Sequence, residues 1–263
     1  MNITVFTSNQ PTHLSLIKDL ASIADTVYAV MEVNTVFPGE RADFFKKTDV
    51  MQNYFSRVIA SEKKYFGNID FLPSNVRPLI IKSGDLNQVD NAILAPALKS
   101  DEYIIFGASY IKGDLIDFLV KEEAYNIHMG VSPYYRGSSC NFWAAYEKNY
   151  DMIGATIHML SKGLDSGEML FHALPSYEED LFDLGMKAVK SAHKGLIENL
   201  KTGNLSKFKK VAQDKTLELC YKRNADFDDA VASDYLNNPA SAEDIKNVLS
   251  NRDNSKFLNP FVY

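Results

Sequence analysis

Residues Ile3 to Thr7 form a short apolar run rich in β-branched side chains, which predicts a strand. The Ser-Asn-Gln-Pro turn that follows opens a helix-period stretch from His13 to Ala24, and Asp25 to Val33 returns to strand character. This rhythm predicts a parallel sheet with helices on both faces, and such sheets take their ligands beyond the carboxyl ends of the strands. Thr7, Ser8, Asn9 and Gln10 fall at such an end and are candidate substrate contacts.

From Phe37 to Gly67 charges and aromatics mix, as in Asp43-Phe44-Phe45-Lys46-Lys47, which predicts one or two amphipathic helices whose aromatics serve packing before ligand contact. Further strands are expected at Leu79–Lys82, Tyr103–Ala108, Ala124–His128, Gly154–Leu160 and Met169–Leu174, with helices at Gln88–Ala97, Gly113–Val120 and Asp180–Leu200. After Leu200 the pattern loosens into Lys-Thr-Gly-Asn and a lysine-rich stretch, with a last helical segment near Ser241 to Leu249. The expected class is α/β: a doubly wound, mostly parallel, Rossmann-like sheet over residues 1–203 with a small C-terminal appendage over 204–263. No Ser/Gly linker separates the two, so the appendage is expected to pack rather than hang free.

The 263 residues are 46% hydrophobic and 24% charged, a composition that supports a substantial core. With 28 basic against 34 acidic residues the net charge is −6, which argues against a nucleic-acid partner held by counterion release. The two cysteines, Cys140 and Cys220, form no CxxC pair and are expected to be free thiols of a reducing cytoplasm. Met1 to Thr7 has neither a basic flank nor a long apolar run, so it reads as the first strand of a cytoplasmic enzyme with no membrane partner.

Two segments carry the chemistry. In Asn126-Ile127-His128 a strand ends and opens into a loop rich in turn residues, and side chains two apart on a strand share a face. An amide and an imidazole therefore project together, a pairing suited to a reaction that passes through a tetrahedral oxyanion. In His158 to Gly167 a strand runs into a loop bracketed by Gly163 and Gly167, where Asp165 is the natural carboxylate to orient His128. Each feature alone has a plainer reading, since Asn-x-His caps strand ends and Asp before Ser-Gly forms tight turns. No HxxxH or HExxH spacing makes His158 a metal ligand, and no GxSxG elbow supports a serine hydrolase, so no metal is expected.

The segments Asn126-Ile127-His128, Ser132-Pro133-Tyr134-Tyr135-Arg136-Gly137, Trp143, Gly154 to Met159 and Gly163-Leu164-Asp165-Ser166-Gly167-Glu168 occur in order, and jointly the chain resembles the folate-dependent formyltransferases. The resemblance implies 10-formyltetrahydrofolate as donor and an amine as nucleophile. It implies that Asn126 donates to the oxyanion, that His128 polarises the formyl carbonyl or shuttles a proton, and that Asp165 orients His128 and assists proton removal. Ser109, Tyr110, Ile111 and Lys112 match the family's pterin-binding loop loosely and, with Gly163, are the expected folate contacts.

The acceptor follows by elimination within the family. A glycinamide ribonucleotide enzyme would carry a Gly-rich turn where Thr7-Ser8-Asn9-Gln10-Pro11 stands, and a methionyl-tRNA enzyme a longer C-terminal domain. The sugar N-formyltransferases fit best, which implies a nucleotide-linked amino sugar, with a dTDP-4-amino-4,6-dideoxy sugar destined for O-antigen as the preferred picture. Tyr134, Tyr135 and Arg136 are then candidate substrate contacts, although the two tyrosines suit packing equally well. A homodimer is expected on the general frequency of symmetric pairs. A formyltetrahydrofolate hydrolase and an inactive ligand-binding module remain as other readings.

Overall fold

The computed structural model describes residues 1–35 and 43–263; the start of the mixed stretch at Phe37 lies outside them. The chain begins with β1 (Asn2–Thr7), α1 (Pro11–Ala21) and β2 (Thr26–Val33), continues through α2 (Asp49–Phe66), β3 (Val76–Lys82), α3 (Asn91–Leu94), β4 (Glu102–Ile105) and α4 (Gly113–Lys121), and reaches β5 (Tyr125–His128). It goes on with β6 (Tyr135–Gly137), α5 (Cys140–Tyr146), β7 (Ala155–Met159), β8 (Met169–Leu174) and α6 (Leu181–Lys201). The last part holds β9 (Cys220–Lys222), α7 (Asp229–Asn237), α8 (Ala242–Ser250) and β10 (Phe261–Val262).

Eight strands form one sheet in the order β10-β8-β7-β5-β4-β1-β2-β3, parallel except that β7 runs against both its neighbours. This is the α/β, mostly parallel architecture that the opening rhythm implies. β1 can lie at its centre because both its faces are apolar: Ile3 and Val5 pack with α1 and α6, while Phe6 packs on the opposite side with α4. α1 starts at Pro11, whose missing N–H costs nothing in the first turn, and buries Leu14, Ile17 and Leu20 at helical spacing. α6 is capped by Asp180, whose side chain accepts from the amides of Phe182 and Asp183, and buries Leu184, Ala188, Ala192 and Leu196. No helix among the described residues is long and apolar enough to cross a membrane.

Several elements differ from the expectation. The helix expected over Gln88–Ala97 shrinks to Asn91–Leu94, since Asp90 starts it by capping the Ala92 amide and Pro96 cannot continue it. The strand expected to reach Ala108 stops at Ile105, and Gly107 turns the chain at φ +68°. α5, α7 and three strands of two or three residues, β6, β9 and β10, are additional. These short strands exist because of partners far away in sequence: β6 pairs with β9, and β10 adds to the main sheet along β8.

Candidate active site

The arrangement is built on β5 and β7. In their antiparallel register Asn126 stands opposite His158, so both side chains emerge on one face. The ring Nδ1 of His158 lies 2.8 Å from the Met159 carbonyl, which can only accept, so Nδ1 carries the proton and Nε2 is left as an acceptor. Nδ2 of Asn126, 2.9 Å from that Nε2, donates to it. The same Nδ2 donates to Oδ1 of Asp165 at 3.1 Å, which fixes the amide with its nitrogen toward the carboxylate.

Asp165 closes the set. It sits in the left-handed region at φ +43°, which aspartate tolerates better than most residues, and this turns its carboxylate back over the strands. Oδ2 lies 3.3 Å from Nδ1 of His128 and Oδ1 lies 3.8 Å from Nε2 of His158. The close return of the chain depends on Gly167, where a Cβ would stand 1.7 Å from the Met159 carbonyl oxygen.

The other side of His128 is covered by Cys140, whose Sγ lies 3.5 Å from Nε2 and donates to the Gly137 carbonyl at 3.4 Å. Gly130 makes this contact possible: a Cβ there would be 2.6 Å from the Cys140 Cβ and 2.8 Å from Nε2 of His128. Burial by itself would drive the His128 proton off, but the hydrogen bonds and charges of Asp165, helped by Cys140, outweigh it and raise the imidazole to about 10. Burial would likewise raise the Asp165 carboxyl, yet the hydrogen bond and charge of His128 hold it far below the usual carboxylate range. The chain thus holds an imidazolium–carboxylate pair with an amide donor beside it.

A cleft of about 460 Å³ of empty space opens against this cluster, with Asn126, His158 and Asp165 on its floor. One wall is Ala108 to Ile111 and the other Leu160, Ser161, Gly163 and Leu164; the Tyr110 hydroxyl donates across to the Lys162 carbonyl. Ser109, Tyr110, Ile111 and Gly163, all singled out in the sequence, line this cleft. Lys112 lies just past it, with its amide donated to Asn87 Oδ1.

The other candidates are not among the residues lining this cleft, and several of them are engaged within the protein. Thr7 is buried with its hydroxyl on His13 Nδ1, Asn9 donates to the Thr35 carbonyl, and the Gln10 carbonyl accepts the first turn of α1, while Ser8 is half-buried in between. Tyr135 is only 1% exposed and donates its hydroxyl to Glu147, so it packs in the core and offers no ring to a ligand. The Tyr134 hydroxyl donates to the Lys256 carbonyl, and Arg136 pairs with Glu218 at 2.9 Å. The sequence reading passed over Cys140 as a plain free thiol; nothing local marks it, because its contact with His128 is made by the turn that Gly130 permits.

The sequence model of the formyl transferase family matches residues 1–200. No curated protein matches the chain. Among solved structures, a 4-N formyltransferase from Francisella tularensis is similar at 19% identity with a TM-score of 0.53, over 86% of this chain and 77% of that one. A sugar N-formyltransferase from a Shewanella species is similar at 15% identity with a TM-score of 0.50, over 86% of this chain and 78% of that one. With more than half its length matched, this chain belongs to the formyl transferase family and is an enzyme of formyl-group transfer.

Proposed function

We propose that the enzyme moves a formyl group from 10-formyltetrahydrofolate to the amine of a nucleotide-linked amino sugar, with Asn126, His128 and Asp165 as the catalytic residues. The observation that carries this reading is the interlocked amide, imidazolium and carboxylate, of which Asn126 and Asp165 line the floor of one cleft and His128 lies directly behind Asp165. A pterin suits the walls around Ser109, Tyr110, Ile111 and Gly163, with Lys112 at the rim. The dTDP-4-amino-4,6-dideoxy sugar of an O-antigen pathway is the preferred acceptor within that class. Thr7, Ser8, Asn9, Gln10, Tyr134 and Arg136 are the proposed acceptor-binding residues; Tyr135, 1% exposed, is left to the core.

The acceptor nitrogen attacks the formyl carbon and the carbonyl electrons move onto oxygen. An arriving formyl oxygen competes with Asp165 for one Asn126 N–H and meets the positive charge of His128, and removing one such donor typically costs a hundred-fold or more in rate. The attached nitrogen is now an ammonium, and Asp165 accepts its proton in concert with loss of the His128 charge that otherwise keeps Asp165 weakly basic. His128 gives its Nδ1 proton to N10 as the bond from carbon to N10 breaks, and Asp165 returns the proton it took to that same nitrogen across their 3.3 Å contact. The products are the formamide and tetrahydrofolate, with the enzyme unchanged.

The proposal includes a catalytic part over residues 1–203, an appendage over 204–263, a cytoplasmic location, a homodimer and no nucleic-acid partner. The deciding experiment incubates purified protein with 10-formyltetrahydrofolate and a panel of dTDP- and UDP-linked amino sugars, glycinamide ribonucleotide and methionyl-tRNA. Folate release and formamide formation with an amino sugar are expected. Formylation of either other acceptor overturns the sugar assignment, and release of formate without acceptor favours a hydrolase.

A further inference from the structure

Glu32 is an anomaly in its strand. β2 is buried along nearly all its length, and from Val27 to Val33 its side chains are apolar apart from Tyr28 and Glu32. Glu32 itself is only 3% exposed. A carboxylate at such a position is unfavourable unless hydrogen bonds replace its water, and a valine would fill the position without that cost. Three backbone amides meet it. Oε1 accepts from Gly84 at 2.8 Å and from Leu86 at 3.4 Å, both in the turn after β3, and Oε2 accepts from Ser109 at 2.6 Å, in the turn after β4. Gly84, at φ +91°, gives the first turn the backbone shape that aims its amide inward.

Ser109 is the point at which this brace reaches the cleft, since it and Tyr110 form one of its walls. A second tie runs outside the first: the Asn87 side chain donates to the Tyr110 carbonyl at 2.9 Å and accepts the Lys112 amide at 2.7 Å. Residues 84–87 and 109–112 are therefore fastened together, and the charged fastening sits under the wall and away from the cleft itself. A charge-assisted bond of this kind is stronger than a neutral one and holds a loop in one place.

We infer that Glu32 is a positioning residue for the donor site, its carboxylate setting the Ser109–Tyr110 wall where a pterin can be held without touching the pterin. The inference rests on the folate reading above. Glu32→Gln keeps the shape and the contacts of Oε1 but turns an N–H against the Ser109 amide. It therefore lowers affinity for the folate by about ten-fold, the loss expected of one charge-assisted hydrogen bond.

The test titrates folinic acid, a non-reactive formylfolate, into the full-length protein by calorimetry for wild type, Glu32→Gln and Asn87→Ala. Thermal melting and backbone hydrogen exchange over residues 107–112 are followed in parallel. The expected result is weaker binding by about ten-fold in Glu32→Gln and a smaller loss in Asn87→Ala, with faster exchange confined to that loop. The loss of affinity should exceed what the change in Tm accounts for, which a purely structural role would not produce. Should Glu32→Gln fail to fold, Glu32→Asp, which keeps the charge but shortens the reach to the Ser109 amide, carries the same comparison. Wild type that does not bind folinic acid overturns the folate reading itself. Wild-type binding matched by the foldable variants, or faster exchange spread over the whole sheet, overturns the role of Glu32 alone.

Discussion

Two loops leave the carboxyl ends of neighbouring strands beside Asn126 and His128, yet opposite ends of the chain hold them. The loop after β4 is fixed by residues that precede it, Glu32 and the turn around Asn87. The loop after β5 is clasped by residues that come last. The Tyr134 carbonyl accepts the amides of Leu219 and Cys220, Arg136 pairs with Glu218, and β6 zips onto β9. His172 completes the clasp, with Nε2 donating to the Ser132 carbonyl and Nδ1 accepting the Leu258 amide. A cleft wall that belongs to the sheet can thus be fixed independently of the C-terminal sixty or so residues, whereas the loop from Ser132 to Gly137 is placed by them. Changes to the clasp should then leave folate binding alone.

The largest effect is expected at the Asn126–Asp165 contact beside these loops. Asn126→Ala and Asp165→Asn should each lower kcat/KM by about a hundred-fold or more in a folate-release assay, with circular dichroism unchanged. Asp165→Asn also tests the charge pair through pH. A His128 raised to about 10 contributes its stability in full below its unfolded value of 6.5 and loses it as pH rises toward 10. The lowered Asp165 contributes above its unfolded value of 3.8 and loses its part as pH falls below that. These describe one interaction, fullest between pH 3.8 and 6.5, and the decline in Tm of wild type from there to pH 10 should flatten in Asp165→Asn.

Next comes the clasp. Burial pushes His172 down to about 4, because neither of its engaged nitrogens has room for a second proton. Above pH 6.5 this has no effect, and as pH falls from 6.5 toward 4 the unfolded chain gains a proton that the folded one refuses, a loss of up to roughly 3 kcal/mol. Acid melting curves should show this loss in wild type and lack it in His172→Gln, while folinic acid binding at pH 8 stays as in wild type. A shift in that binding would break the comparison between the loops.

Gly130→Ala should destabilise by about 1–3 kcal/mol in urea unfolding, as an overpacked core position does, and should lower kcat through displacement of His128 rather than raise the folate KM. The smallest effect is expected of Arg136→Ala, where loss of the half-covered pair with Glu218 removes about 0.2–1 kcal/mol in the same titration. A rise in acceptor KM with an unchanged folinic acid Kd would sharpen the contrast; a change in the folate Kd would oppose it.

Much of the fold was readable in advance because periodicity is a local signal. Ile3–Thr7, the helix after Pro11, the strand ending at His128 and the helix after Asp180 were all marked by apolar spacing and by Pro or Asp at their starts. The strand-borne part of the candidate site was readable for the same reason, since Asn126 and His128 share a face and Ser109 to Ile111 leave a strand end. Tyr134, Tyr135 and Arg136 looked equally available in the sequence, but Glu147, Glu218 and Lys256 engage them, and no local pattern announces those partners.

By itself the sequence determined an α/β sheet, its strand order of appearance and the presence of an amide, an imidazole and a carboxylate suited to formyl transfer. Only the tertiary structure decided which groups meet. It turned Asp165 back through a left-handed residue, set Cys140 against His128, buried Glu32 under one wall and brought Leu258 to His172. Periodicity is written within a few residues, but a hydrogen bond or an ion pair depends on two positions that only folding brings within 3 or 4 Å of each other.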